Sequence, residues 1–375
     1  MQWLSQQFEL SRSGSAANVR PMEGLRGFAV FLVFLVHYVT LIDPWLPAAS
    51  PLGVSLTALR TIGNAGVDLF FVLSGYLIYG SLMARPQAFA AFMRRRVVRI
   101  YPAFLVVFVL YVLLSVLRPA ESKIPAGSAA AAVYLLENLA LLPGLLPIEP
   151  LITVAWSLSY EMFYYLVMPP LIGMLSLRAR TSRWRVAFFI ALAGIIVLLC
   201  SIYEGPIRLI MFIAGILLYE ALPRHAGAAP RSGFAFAALL AGLWSSALPF
   251  FGAGALAVKM LILFGTFFIV CFCCFSRPRS ALARGFSWAP LRWLGNMSYS
   301  YYLLHGLALK AGFLLLAKAA PATPNGALVL AMLPLMFLLT LLVSGVLFLL
   351  VERPFSLAPA GRPATLPATP EKVSA

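Results

Sequence analysis

The sequence predicts an all-α membrane protein of about ten transmembrane helices, with both termini in the cytoplasm. Of its 375 residues, 62% are hydrophobic and only 11% are charged, a composition that soluble globular domains do not have. Apolar runs of spanning length follow one another, and the basic residues cluster between alternate runs. The net charge of +16 is therefore interpreted as a topology signal, and no nucleic-acid partner is expected.

Ten apolar runs approach the ~20 residues that a membrane-spanning helix needs. They cover residues 27–45, 64–83, 101–117, 153–175, 186–203, 207–222, 233–250, 255–275, 294–317 and 327–351. If the N-terminus is cytoplasmic, 21 of the 28 lysines and arginines fall on that side, and seven fall on the outer side or in outer helix halves. The positive-inside rule then places both termini in the cytoplasm.

A further apolar segment, 128–143, is predicted to form a re-entrant or interfacial helix in the long outer loop between the third and fourth spans. Counting it as a span would place the arginines of 178–185 on the outer side. Residues 1–20 are predicted to form a cytoplasmic tail, 21–355 one transmembrane domain, and 356–375 a disordered, Pro- and Ala-rich cytoplasmic tail.

The first span carries an arginine and a histidine on one face. Arg26 and His37 are eleven residues apart, which is about three helical turns and roughly 16 Å of rise. An imidazole near the middle of a bilayer is costly and by default marks a functional site. Packing against a neighbouring helix is the alternative for His37.

Three other ionisable residues lie inside predicted spans. Asp68 is in the second span, Glu161 about nine residues into the fourth, and His305 at a similar depth in the ninth. A histidine that faces a carboxylate is a general base with an orienting partner. Proton-relay transporters use the same residue types, so an enzyme and a transporter both remain open at this point.

Four arginines, Arg94, Arg95, Arg96 and Arg99, precede the apolar part of the third span. Arg96 and Arg99 share a helix face because they are three residues apart. Guanidinium groups bind phosphate bidentately, so this pair suits a cytoplasmic phosphate-bearing donor such as coenzyme A. A plain positive-inside anchor is the alternative.

Six separated blocks of the chain carry a resemblance to a known family. The blocks are Gly24-Leu-Arg-Gly27 with His37, Gly66-Val-Asp-Leu-Phe-Phe-Val-Leu-Ser-Gly75, Arg96-Val-Val-Arg99-Ile-Tyr-Pro102, Trp156-Ser-Leu-Ser-Tyr-Glu161 with Phe163 and Tyr164, Gly295-Asn-Met-Ser-Tyr299 ending at His305, and Val351-Glu-Arg-Pro354. In order and spacing they resemble acyltransferase family 3, membrane proteins that O-acylate carbohydrates and related acceptors. The resemblance implies ten helices, an acyl-CoA donor, usually acetyl-CoA, and an acceptor hydroxyl on the outer side or on a lipid carrier.

Carried onto this chain, the resemblance implies that His37 is the catalytic base or receives the acyl group. Arg26 would contact the donor, and Arg96 and Arg99 would hold its phosphates. No metal ion is expected, and the four cysteines, which lie inside apolar runs, are interpreted as core residues.

The resemblance also implies a role for the remaining polar residues of the blocks. Glu161 is predicted to orient His37 or to bind the acceptor, and Asp68 is the rival for the first role. Trp156, Tyr164 and His305 are assigned to substrate binding, with helix packing as an equal alternative for His305.

The predicted function is a membrane O-acyltransferase of a bacterial inner membrane. It would move an acetyl or other acyl group from cytoplasmic acyl-CoA to a hydroxyl of a surface polysaccharide or lipid-linked sugar, with the lipid bilayer and polysaccharide assembly machinery as further partners. Acylation of a small molecule such as a macrolide is the alternative within the enzyme class. A non-catalytic transporter or exporter is the alternative outside it, although transporters usually show inverted repeats, and none is visible in the sequence.

Overall fold

The computed structural model describes residues 2–10, 16–203, 205–248 and 254–357, and it is 82% helical with no β-strand among these residues. The helices are α1 (Gln2–Phe8), α2 (Ala16–Ile42), α3 (Pro51–Gly63), α4 (Ala65–Ala84), α5 (Phe89–Leu117), α6 (Ser128–Leu139), α7 (Trp156–Met174), α8 (Ser182–Tyr203), α9 (Ile210–His225), α10 (Ser232–Ala247), α11 (Ala255–Ser276), α12 (Ala281–Phe286), α13 (Ala289–Asn296), α14 (Ser298–Ala319) and α15 (Gly326–Leu347). A π-helical turn, Phe348–Ser356, continues α15.

Seven segments of the described chain are long and apolar enough to cross a membrane. They are Arg20–Trp45, Pro51–Ala84, Phe89–Leu117, Ser182–Tyr203, Ala255–Ser276, Ser298–Ala319 and Gly326–Ser356. The protein is therefore an all-α integral membrane protein. Helices α7, α9 and α10 also coincide with predicted spans, but they are not among the seven. The count of ten spans and the cytoplasmic placement of the termini stay predictions.

The sequence analysis did not predict α3, which directly precedes α4. Ser50 caps α3, because its Oγ accepts a hydrogen bond from the backbone N–H of Gly53 at 3.1 Å, and Pro51 occupies the first helical position. Serine, threonine and arginine interrupt the apolar residues of α3, so its sequence lacks the continuous apolar run that marks a span.

The helix predicted between the third and fourth spans is present as α6. It has 12 residues, and its rise of about 18 Å is shorter than a hydrocarbon core of ~30 Å. Helix α6 therefore does not span a bilayer, and its re-entrant or interfacial placement stays a prediction. Residues 358–375 of the predicted disordered tail lie outside the described residues.

Part of the predicted N-terminal tail folds onto the helix bundle. Phe8 stacks on Phe348 with ring centres 5.4 Å apart, and Asn296 donates a side-chain hydrogen bond to the Phe8 carbonyl at 3.0 Å. Arg292 forms an ion pair with Glu9 at 3.2 Å. These contacts fix α1 against α13 and against the turn that follows α15.

Glycines bring α2 and α13 into backbone contact. A Cβ atom at Gly27 would lie 1.9 Å from the Leu291 carbonyl oxygen, and one at Gly295 would lie 1.7 Å from the Glu23 carbonyl oxygen. Small residues allow such close approach where membrane helices cross. This contact fixes the height and rotation of α2, and with them the position of Arg26.

We expect Gly27→Ala to prevent the close crossing of α2 and α13, because the added methyl group overlaps a backbone carbonyl. Overpacking of this kind costs on the order of 1–3 kcal/mol or more, so the purified variant should unfold at a clearly lower temperature. The matched control is Gly194→Ala, where an added Cβ meets nothing within 4 Å. Equal melting temperatures for the two variants would contradict this account of the α2–α13 contact.

Candidate functional site

Two cavities lie along the predicted Arg26–His37 face of α2. The first, here called the arginine cavity, is lined by Arg26, Arg96, Arg99 and Glu161 and has a volume of about 130 Å³. The second is lined by His37 and has a volume of about 610 Å³. Arg26 and His37 are roughly 16 Å apart along the helix axis, so one helix contributes a cation to the first cavity and an imidazole to the second.

Ser298, the first residue of α14, binds Arg26. Its Oγ accepts hydrogen bonds from Nε of Arg26 at 3.2 Å and from Nη2 at 2.9 Å. The helical path is interrupted at Met297, between α13 and α14, so Ser298 is the first residue of a new helix. Two bonds from one planar guanidinium fix its orientation, so Ser298 holds Arg26 in place at the arginine cavity.

Arg99 reaches the arginine cavity in a fixed orientation because Glu352 binds it. The two side chains form an ion pair at 2.7 Å, and the Glu352 side chain is fully buried. Its other oxygen accepts hydrogen bonds from the backbone N–H of Ser300 at 3.0 Å and from the Ser300 hydroxyl at 2.6 Å. Glu352 lies in the π-helical turn, a type of helix distortion that is frequent at functional sites.

Arg96 has no carboxylate partner in the part of the chain that the structure describes. Its guanidinium lies over the rings of Phe92 and Tyr165, 5.0 and 5.3 Å from their centres. Its Nε is buried and has no hydrogen-bond partner among the described residues. A buried donor without a partner costs free energy that an anionic ligand would recover, so this geometry suits the predicted phosphate site.

Glu161 lines the arginine cavity and does not lie beside His37, although orienting His37 was one of the two roles that the sequence analysis gave it. Its Oε1 accepts hydrogen bonds from Ser74 Oγ at 3.1 Å and from the Tyr165 hydroxyl at 2.5 Å. No hydrogen bond or ion pair joins Glu161 to His37 within residues 16–203. Depth along the sequence placed both residues near the membrane midplane, but the cavity that each residue faces depends on helix rotation and tilt.

The second cavity, here called the histidine cavity, has a polar and charged rim. Besides His37 it is lined by Arg118, Glu121, Lys123 and Lys310. Glu121 pairs with Arg118 at 3.0 Å and also with Lys310. Hydrogen bonds from Lys310 and from Arg118 hold the pKa of the Glu121 carboxyl below its ordinary value.

His37 contacts a second histidine, His305 on α14. The two ring centres are 4.9 Å apart, and the rings meet edge to face at 62°. His305 is fully buried, and its ring stacks on Tyr301 with centres 5.2 Å apart. The structure thus brings together two of the predicted site residues, His37 and His305, and no carboxylate among the described residues pairs with either of them.

A small hydrogen-bonded group has members in the linings of both cavities. The Tyr302 hydroxyl donates to the Val154 carbonyl at 3.0 Å and lies 2.7 Å from the Ser157 hydroxyl. Tyr302 and Ser157 line the arginine cavity, whereas Val154 lines the histidine cavity. These hydrogen bonds therefore link the lining of one cavity to the lining of the other.

Asp68 and Trp156, two further predicted site residues, lie in a separate ion-pair cluster. Both Asp68 oxygens accept hydrogen bonds from Arg208 at 2.8 Å, and the Arg208 guanidinium lies over the Trp156 ring, 5.8 Å from its centre. Neither Asp68 nor Trp156 lines either cavity. The expected pairing of Asp68 with His37 is therefore corrected: a buried carboxylate takes the nearest cation, and here that cation is Arg208.

Tyr164 also lies apart from both cavities. Its ring stacks on Phe212 with centres 4.5 Å apart, and its hydroxyl donates to the Gly75 carbonyl at 3.3 Å. The predicted role of Tyr164 in binding substrate has no geometric support, because the neighbouring helices cover it. Tyr165, the next residue along α7, faces the arginine cavity instead.

The sequence analysis assigned no site role to Ser298, Tyr165, Tyr302 or Glu352. Glu352 offered a signal, since a carboxylate at the end of a long apolar helix needs a cationic partner. Ser298 lay within one of the six blocks, although no role was given to it there. Tyr165 and Tyr302 offered no signal, because tyrosine is common in helices and its direction is set by packing. Among the described residues, no group of three or more His, Cys, Asp or Glu side chains is arranged to hold a metal ion.

Comparison with known proteins gives one family and several relatives. The sequence profile of an acyltransferase domain matches residues 21–349. The acyltransferase MdmB of Streptomyces mycarofaciens is 28% identical over 369 aligned residues, which cover 89% of this chain and 90% of that protein. The comparison with solved structures gave no significant match.

Two more relatives are longer than this chain. The peptidoglycan O-acetyltransferase OatA of Listeria monocytogenes is 26% identical over 328 residues, covering 76% of this chain and 49% of that protein. The O-acetyltransferase OatA of Staphylococcus aureus is 28% identical over 329 residues, with the same two coverages of 76% and 49%. The chain thus corresponds to about half the length of these two proteins.

Proposed function

This chain belongs to acyltransferase family 3 and is an acyltransferase of the membrane, and on that premise we propose that it moves an acetyl group from cytoplasmic acetyl-CoA to a carbohydrate hydroxyl presented on the outer side. The observation that carries the proposal is the pair of cavities along α2. One holds three arginines, including Arg96 with its buried unpaired Nε, and the other holds His37. Acyl transfer from a charged donor to a neutral hydroxyl needs a cationic site that binds the donor and a base that takes the hydroxyl proton.

The arginine cavity is the proposed donor site. Acetyl-CoA carries phosphates, and guanidinium groups bind phosphate through paired, charge-assisted hydrogen bonds. Arg26 and Arg99 are held for this task by Ser298 and Glu352, whereas Arg96 lies between two aromatic rings. The pantetheine arm would then extend along α2 toward the histidine cavity, because that is the direction in which the reacting imidazole lies.

The histidine cavity is the proposed acceptor site. A thioester is already activated, so the enzyme needs to position a hydroxyl against its carbonyl, remove the proton and stabilise the oxyanion. His37 is the proposed base, and the acceptor reaches it past the rim of Arg118, Lys123 and Lys310. The hydroxyls of Ser157 and Tyr302, between the two cavities, are the proposed donors to the oxyanion.

A carbohydrate acceptor is favoured by the relatives, one of which is named for O-acetylation of peptidoglycan. For this chain we propose a surface polysaccharide or a lipid-linked sugar, in a bacterial cytoplasmic membrane and in association with the machinery that assembles the polymer. The positive-inside bias of the sequence supports this orientation, with the arginine cavity toward the cytoplasm.

The proposal is tested with sealed vesicles of opposite orientation and acetyl-CoA labelled in its acetyl group. Inverted vesicles that contain the protein should transfer label to a carbohydrate fraction, whereas right-side-out vesicles and membranes without the protein should not. Equal transfer in both orientations would refute a cytoplasmic donor. Absence of transfer from both would refute the donor itself, and label in a small-molecule fraction would refute the carbohydrate acceptor.

A further inference from the structure

His305 exists in a single, identifiable tautomer. Its Nδ1 lies 2.9 Å from the backbone carbonyl oxygen of Tyr301 and 2.9 Å from that of Tyr302. A carbonyl oxygen only accepts hydrogen bonds, so Nδ1 must carry the ring hydrogen and donate it. Nε2 of the same neutral ring is therefore a lone-pair acceptor.

This acceptor is buried and has no hydrogen-bond partner among the described residues. Because Nδ1 faces the carbonyls of its own helix, Nε2 points away from α14. The ring that packs against His305 from α2 is that of His37, at 4.9 Å between centres. A buried acceptor without a donor costs free energy, and a hydrogen bond from a ring N–H of His37 would remove this cost.

Resting on the proposed function, we propose that His305 is the positioning residue of His37. Nε2 of His305 accepts a hydrogen bond from one ring N–H of His37 during catalysis, and this bond fixes the tautomer of His37. The other ring nitrogen of His37 then carries the lone pair that faces the histidine cavity. His305 thus takes the place that the sequence analysis gave to a carboxylate.

The reaction balances with this pair. The free nitrogen of His37 takes the acceptor's hydroxyl proton as the oxygen forms its bond to the thioester carbonyl. His37 is then an imidazolium, and one of its two N–H groups still donates to His305. As the C–S bond breaks, the departing sulfur takes the proton from His37, and both imidazoles are neutral again.

A neutral partner suits this depth in the membrane. A carboxylate beside His37 would place a full negative charge in the bundle whenever His37 is neutral, and a buried charge without a partner is costly. The buried carboxylates Asp68 and Glu352 are each tied to an arginine. An imidazole whose donor is already satisfied by its own helix offers an acceptor without that charge.

The test compares His305→Gln with His305→Phe in the vesicle assay, with His37→Ala alongside. Gln keeps an acceptor atom near the position of Nε2, whereas Phe keeps the ring that stacks on Tyr301 but has no acceptor. We expect the phenylalanine variant to lose about 100-fold or more in kcat, and the glutamine variant to stay within about 10-fold of the intact chain. The KM for acetyl-CoA should not change in either variant, because the donor cavity is separate.

Several results would overturn the positioning role while leaving the proposed function intact. Equal activity of the two variants would do so, as would a change in KM with an unchanged kcat. If the intact chain itself transfers no label, the proposed function is refuted instead. A second measurement needs no folded variant at this site: the ¹⁵N spectrum of the intact protein with labelled histidine should show His305 neutral and protonated on Nδ1, and protonation on Nε2 would overturn the proposal.

Discussion

Acetyl transfer is expected to fall by about 100- to 10,000-fold when His37 is replaced with alanine, which is the range that a positioned general base contributes. Binding of acetyl-CoA to the purified variant should be unchanged, because His37 lies in the histidine cavity and the arginines of the proposed donor site lie in the other cavity. The measurement is the rate of label transfer in inverted vesicles at matched protein amounts, together with the affinity for acetyl-CoA by calorimetry.

The control for His37→Ala is Tyr38→Phe, at the next position of α2. Tyr38 is buried, lines neither cavity, and donates its hydroxyl hydrogen to the Val329 carbonyl. Its replacement removes a buried hydrogen bond from the same turn of helix without touching the proposed base, so transfer should be retained. If Tyr38→Phe and His37→Ala lose transfer equally, the effect belongs to packing of α2 and the role of base is refuted.

Replacing Arg96 with glutamine is expected to raise the KM for acetyl-CoA by about 10- to 100-fold with a smaller effect on kcat. A hydrogen bond to a charged group contributes about 1.5–3 kcal/mol. The buried Nε of Arg96 has no hydrogen-bond partner among the described residues, so the variant should lose this contribution to acetyl-CoA binding. The measurement is the dependence of the transfer rate on acetyl-CoA concentration. Arg94→Gln, at an exposed position of the same helix, is the matched control and should leave KM unchanged.

A shortened donor separates phosphate binding from other roles of Arg96. S-acetylpantetheine carries the thioester but no phosphate, so the intact chain should use it poorly. The Arg96→Gln variant should use it no worse than the intact chain does. If Arg96→Gln lowers the transfer rate by the same factor with both donors, Arg96 acts on the fold or on the chemistry. The arginine cavity would then not be the donor site.

Arg96 is a better position for this test than Arg99. Removal of the Arg99 side chain would leave the fully buried Glu352 without its cation, and breaking a buried ion pair in this way typically costs about 3–5 kcal/mol. A loss of transfer in Arg99→Gln would therefore mix donor binding with instability. Arg96 lies over two aromatic rings and has no carboxylate partner among the described residues, so its replacement leaves no charge behind.

The sequence identifies this chain as a membrane protein because a bilayer requires long apolar runs. Each predicted span coincides with a helix in the structure. The short amphipathic helices α3 and α13 were not predicted. Tertiary packing and caps stabilise such helices, and they lack the long apolar run by which the spans were identified. The blocks around Arg26, Arg96 and His37 also identified the family, which the comparisons confirm.

The sequence by itself determined which polar side chains are costly in a bilayer, and the sequence analysis named four residues of the arginine cavity, Arg26, Arg96, Arg99 and Glu161, and His37 in the histidine cavity. Only the tertiary structure decided their partners. Asp68, Glu161 and Glu352 are chemically equivalent carboxylates, yet one binds Arg208, one faces the arginine cavity and one holds Arg99. The reason is geometric. The depth of a residue in the membrane follows from counting residues along its helix, whereas its neighbours depend on how the helices rotate and cross. For α2, the rotation and the crossing are set by the glycine contacts with α13.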